Sequence, residues 1–335
     1  VIDLGHLGGN WSRAYDVNDS GQVTGHSLNA NYEDHAYLYS NGSMVDLGTL
    51  GGNSSYAWTI NNQGQVVGWS RTADNKERGF LYSGGTMTDL GDLGKGFSRA
   101  FGLNNLGDVV GFSYNNANAQ RAFLYSGGVM QELGTLGGTW SIAYAINDSG
   151  QIVGAAGASD GSSRAFLYSG GVMQDLGTLG GLWSQAHSIN NPGQVVGEFQ
   201  VDANVKHAFL YSNGSMQDLG TLGGLWSVAY GINDSGQVVG YSWLNSNPSS
   251  ERAFLYSNGV MQDLNSLLAP NSSGWILTDA YGINSSGWIV GYGIINGQRR
   301  GYLAKPLGEP VVPGPAAALP MAVGLGAAIL RRRKK

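Results

Sequence analysis

The chain reads as an all-β, seven-bladed propeller, and three observations predict it: a seven-fold internal repeat, four strand-like runs in each unit, and complementary half-units at the two ends. An acidic residue followed by Leu recurs at Asp3, Asp46, Asp89, Glu132, Asp175, Asp218 and Asp263, spaced by 43 residues five times and then by 45. A second marker, INDSGQVVG at 232–240, places an Asn at 18, 61, 104, 147, 190, 233 and 284. A third, AFLYS, begins at Ala122, Ala165, Ala208 and Ala253, with variants at Ala36, Gly79 and Gly301.

Within the unit that follows Glu132, the runs are SIAYAIN (141–147), GQIVGAA (150–156), RAFLYS (164–169) and GVMQDLG (171–177). An Asn-Asp-Ser-Gly turn joins the first two and a Gly-Gly or Asn-Gly pair joins the last two. Such pairs tolerate positive φ and suit tight antiparallel hairpins. Four strands in about 43 residues match a propeller blade, whereas the coils of a β-helix or a leucine-rich repeat are shorter. The final unit stops at GYLAKP (301–306) one strand short, and the chain opens on VIDLG (1–5), a fourth strand with no blade before it. Pairing the two closes the ring and removes an exposed sheet edge.

Composition agrees. Of 335 residues, 55 are Gly, 42% are hydrophobic and only 12% are charged, which disfavours helical bundles and supports a strand-rich core. The five basic residues at 331–335 leave 13 basic against 23 acidic side chains over 1–330, a net charge of −10, so nucleic acid is a poor partner. With no Cys, disulfide scaffolds, thiol nucleophiles and Cys-ligated zinc are excluded.

Pairing Ser126 with Val129 puts Arg121, Phe123, Tyr125, Met130 and Glu132 on one face of the hairpin. A basic residue precedes each AFL-like run, diagonal to the acid of the acid-Leu pair, so structural ion pairs such as Arg121–Glu132 and Arg164–Asp175 are expected. The meander sorts its connections: uniform turns on one side of the disc, and interblade links with variable loops on the other. Recognition is expected on the variable side. Candidate ligand-stacking residues there are Trp11, Trp140, Trp183 and Trp226, which follow the interblade Gly pair, with Tyr32 and Trp243 in or beside variable loops. Indoles stack on sugar rings, and the competing reading is a wedge between blades.

The NDSGQ turns lack the alternating acids and terminal Glu of a calcium loop. The five His show no metal-binding spacing, and no metal or cofactor is expected. Glu33, Asp34, Asp74, Glu77, Asp160, Glu198, Asp202 and Glu251 lie in or near variable loops and are the carboxylates from which a glycosidase pair would be drawn. With no nucleophile elbow or phosphate loop, the chain is not expected to be an enzyme.

Beyond a propeller over 1–305, residues 306–315 form a Pro/Gly linker, and 316–335 form an apolar segment expected as a short helix followed by a basic cluster. The repeats, with INDSGQVVG, FLYSNG and the literal His207-Ala208-Phe209, resemble the HAF family of bacterial extracellular repeats. The tail is similar to a PEP-CTERM sorting signal, with Pro313, Gly314 and Pro315 at the motif positions and Arg331, Arg332 and Arg333 in the basic cluster. The resemblance implies export in a Gram-negative bacterium, processing by an exosortase and transient membrane anchoring. The expected function is a non-catalytic surface or matrix module that binds glycans or surface proteins. The alternative is a hydrolase or lyase acting on extracellular polysaccharide.

Overall fold

The computed structural model describes residues 1–272 and 274–306, and the expected tail helix and sorting motif lie outside them. The described chain forms seven antiparallel four-stranded sheets. Blade 1 runs through Gly8–Val17, Val23–Asn29, Asp34–Ser40 and Ser43–Asp46, from the axis outward. Blades 2, 3 and 4 repeat it over 51–89, 94–132 and 137–175, and blades 5 and 6 over 183–218 and 227–263. Blade 7 takes three strands from Trp275–Ile283, Ile289–Ile295 and Gln298–Ala304, and its fourth from Ile2–Asp3. Ile2 pairs with Leu303 and Asp3 with Tyr302, so the ring closes between the two ends as the half-units predict.

The hairpin register also follows the sequence: Ser126 pairs with Val129 and Tyr125 with Met130. Gly127 and Gly128 carry φ of 58° and 85°, the positive pair that a two-residue turn matching strand twist needs. Apolar layers fill the spaces between sheets. Phe80, Phe123, Phe166, Phe209 and Phe254, with Tyr37 and Tyr302, are fully buried on successive third strands.

Two repeated devices lock the blades. In blades 1 to 6 a buried Ser lies on the inner strand; in blade 4, Ser141 donates to the Gly134 carbonyl at 2.6 Å and accepts from the Ala122 amide of the preceding blade at 2.9 Å. The same pair of bonds recurs at Ser55 and Ser184. Between blades 6 and 7, where the marker spacing lengthens, Asn265 takes over by bonding both the amide and the carbonyl of Leu277. The second device is a β-bulge in every inner strand, between Ala100 and Gly102 in blade 3 for example. A Cβ at Gly111 would lie 1.9 Å from the Arg99 carbonyl oxygen, so the bulge explains why the GQVVG run ends in Gly.

Candidate functional site

The bulge decides what faces the axis. The unpaired bulge residues are Tyr15, Trp58, Phe101, Tyr144, His187, Tyr230 and Tyr281, six of them aromatic carbocycles or indole and one an imidazole. Their rings form a closed circuit: successive centroids lie 4.3, 5.7, 5.6, 5.6, 5.4 and 4.9 Å apart, and Tyr281 returns to Tyr15 at 5.0 Å. Such spacing puts each centroid roughly 6 Å from the axis, so the ring tips narrow the channel to a waist.

On the uniform-turn side of this waist lies an axial cavity of about 670 Å³. Its wall is closed by the seven marker Asn residues. Each donates from Nδ2 to the main-chain carbonyl of the Asn in the next blade, from Asn18 to Asn61 at 3.0 Å onward around the ring. Each Oδ1 also accepts at least one amide of its own turn; Asn147 takes two, Ser149 at 3.1 Å and Gln151 at 2.9 Å, while Asn190 takes Gln194 and Asn233 takes Gln237. At the mouth sits a second circle, including Asp19, Asn62, Asn105, Asp148, Asn191 and Asp234, whose members also bond across blades. Deeper in, Asp16 occupies a position held by Thr, Gly, Ala or Ser in the other blades. It accepts the Ile60 amide at 3.0 Å, and burial pushes its carboxyl up to about 7.

On the variable-loop side the late residues of the second strands, such as Glu198 and Trp243, and the first residues of the third strands, such as Lys206 and Glu251, depart from the repeat. Glu198 is buried between His187 (3.2 Å) and Lys206 (2.7 Å). Its desolvation is outweighed by the His187 hydrogen bond and by the charges of His187 and Lys206, which hold its carboxyl below the usual range. Lys206 Nζ lies 4.8 Å from the Trp226 ring centroid, and Trp226 stacks on Trp243 at 4.5 Å and 16°. Across the axis, Arg13 lies over Tyr292 at 4.3 Å. Asp279 is 4% exposed, and its Oδ2 has no hydrogen-bond partner. Burial raises the Asp279 carboxyl, and burial together with Asp279 lifts Glu251 to about 7.

The candidate residues from sequence thus divide. Trp226 and Trp243 come together. Trp11 instead packs edge-on to His26 at 5.0 Å, Trp183 donates to the side-chain oxygen of Gln200, and Trp140 lies against Gly157, each within its own blade. Tyr32 is 72% exposed at a loop tip with φ of 61°.

The expected Arg121–Glu132 pair forms at 2.8 Å. The expected Arg164–Asp175 pair does not. Arg164 turns to Asp160 at 2.9 Å and to Ser162, because the short loop before its strand brings a closer carboxylate than the diagonal neighbour, while Asp175 caps the Gly177 amide at 2.7 Å. Arg78 likewise reaches Asp92 instead of Asp89. His35–Asp46, His207–Asp218 and Arg300–Asp3 follow the rule.

Sequence reading missed Asp16, Asp279 and the aromatic circuit. The signal for the first two was the same as for Glu198: an acid where the other copies have none.

No family model matches the chain, and no curated protein matches it. Solved structures share the fold. The BP39L lectin from Burkholderia pseudomallei is 7% identical with a TM-score of 0.51, over 92% of this chain and 98% of the lectin. A putative TolB from Agrobacterium tumefaciens is 14% identical with a TM-score of 0.50, over 63% of this chain and 81% of that one. A puromycin-hydrolyzing peptidase from Mycobacterium tuberculosis is 12% identical with a TM-score of 0.52, over 86% of this chain, which spans only 49% of the peptidase. At these identities the likeness establishes the propeller and leaves its work to be argued from its own residues.

Proposed function

We propose that the chain is an exported, non-catalytic binding module of the cell surface or extracellular matrix, with glycans as its ligand class and the variable-loop mouth as its recognition surface. The observation that carries this reading is the Trp226–Trp243 stack beside Lys206 and Glu198. A flat, half-buried indole next to paired polar groups suits the apolar face and the hydroxyls of a sugar ring. Glu198, Lys206 and Trp243 break the repeat while Trp226 and the surrounding scaffold keep it, and a lectin, BP39L, is built on the same fold.

Export and exosortase processing rest on the tail, whose motif lies outside the described residues. Deleting 309–335 is expected to abolish surface display, and unchanged display overturns the export reading. A glycan array probed with residues 1–306 tests binding. Retention of specific glycans that is lost in Trp226→Ala but kept in Tyr32→Ala is the expected result, and identical profiles for all three proteins overturn it.

One observation favours the alternative, a hydrolase or lyase on extracellular polysaccharide: Glu251 and Asp279 are neighbouring acids that both hold their protons unusually well. Depolymerisation that disappears in Glu251→Gln and Asp279→Asn, with binding retained, would establish it.

A further inference from the structure

The cavity on the other side of the aromatic waist is chemically unlike the variable-loop mouth. Its floor is aromatic, its rim carries carboxylates at Asp19, Asp148 and Asp234, and its wall carries the buried carboxyl of Asp16, which holds its proton up to about 7. Two arginines, Arg13 and Arg99, also line it. The Arg13 guanidinium lies over Tyr292 but also donates to Tyr15 Oη at 3.4 Å and lies 6.0 Å from the Tyr281 centroid, so it already supplies the cation for that part of the floor, whereas that of Arg99 lies 4.5 Å from the Trp69 centroid and binds Glu77 at 2.5 Å. Away from Arg13, the floor formed by Trp58, Phe101 and Tyr144 lies in the same compartment as the rim carboxylates, which accept from the neutral groups of Asn62, Asn105, Asn191 and Ser285. Trp58, in that floor, keeps a buried Nε1 without a partner.

Such a site repels anions. A bare metal ion fits poorly as well, because no group of three or more His, Asp or Glu able to hold one occurs among the described residues. A cation wrapped in apolar groups satisfies both halves, since ring quadrupoles attract it at short range and the carboxylates neutralise it without having to strip a tightly held water shell.

We propose that this compartment is a binding site for an alkylammonium group, with the floor around Trp58, Phe101 and Tyr144 taking the alkylated head and Asp19 and Asp234 at the rim holding its charge. The volume of about 670 Å³ accommodates the head together with part of whatever chain carries it out through the mouth. This site is independent of glycan binding, because it opens on the opposite face of the disc.

The test is calorimetric titration of the full chain with choline chloride, beside its neutral isostere 3,3-dimethylbutan-1-ol. Choline is expected to bind saturably with a Kd below about 10 mM, and the isostere at least about tenfold more weakly. Trp58→Leu and Asp234→Asn are each expected to weaken choline at least about fivefold, while Trp226→Ala on the other face leaves it unchanged. Asp19 also bonds Ser285 across the closing junction, so Asp234→Asn serves as the charge variant that spares this joint. Equal binding of choline and the isostere, no saturation in this range, or unchanged affinity in folded Trp58→Leu and Asp234→Asn proteins overturns the proposal.

Discussion

Asn284 donates from Nδ2 to the main-chain carbonyl of Asn18 at 3.1 Å, and so joins residues 266 positions apart with the same bond that links every other neighbouring pair in the ring. The final junction is chemically identical to the six before it. A circle of identical bonds has no weak seam at this layer, which is where an array built by repetition would otherwise open.

Removing one link tests this. Asn147→Ala takes away a donor to the Asn190 carbonyl and an acceptor for two turn amides, all at a site 3% exposed. The expected loss is about 2–4 kcal/mol in urea unfolding. Asn284→Ala should cost a similar amount, and a loss under about 0.5 kcal/mol at both positions would show that the ring does not contribute to stability.

Ring closure by the first strand makes a second prediction. Deleting residues 1–5 removes the pairing of Ile2 and Asp3 with Leu303 and Tyr302 and uncovers Leu303, which is 2% exposed. It also removes Leu4, 3% exposed, whose amide bonds the Gly301 carbonyl at 3.1 Å. About 2–3 kcal/mol is lost with one such leucine, and the unpaired edge invites association. A lower melting temperature together with concentration-dependent oligomers in size-exclusion chromatography is expected; a monomer of unchanged stability would contradict the closure argument.

Glycine content is not uniformly essential. At Gly111 an added Cβ meets the bulged Arg99 carbonyl, so Gly111→Ala should cost more than about 3 kcal/mol or prevent folding. At Gly127, with φ of 58° and nothing within 4 Å of an added Cβ, Gly127→Ala should cost only about 1 kcal/mol. Comparing the two by thermal denaturation separates a steric requirement from a conformational preference.

Acidic groups of opposite character shape the pH dependence. Asp16 and Glu251 bind protons more tightly in the folded chain than in the unfolded one. Their contribution is therefore complete at low pH and declines as pH rises from the unfolded value toward about 7. Asp46, Asp218 and Glu198 are held low, so their contribution is present above the unfolded value and is lost as pH falls through the folded one. Melting temperatures measured from pH 4.5 to 8 should show Asp16→Asn gaining relative to the parent as pH rises. A constant difference across that range would mean that Asp16 titrates normally.

The strands, their order, the turn types and the number of blades were legible because each is a local event repeated seven times. Two-residue alternation and paired small residues act within a few positions, and repetition makes the signal unmistakable. Closure was legible for the same reason, since a three-strand end and a one-strand beginning add up to one unit. The side chains on the axis were not. Alternation carried along the inner strand fails at the bulge between Ala14 and Asp16, where one extra residue resets which side chains point inward and turns Tyr15 and its six counterparts to the centre. The partners of Arg78 and Arg164 were likewise settled by loop geometry, which brought Asp92 and Asp160 nearer than the cross-strand acids. What the sequence determined by itself was thus the repeating frame, because short-range chemistry sets it. The tertiary structure alone decided which seven copies meet at the axis, because that depends on a backbone shift and on distances between blades that no local pattern encodes.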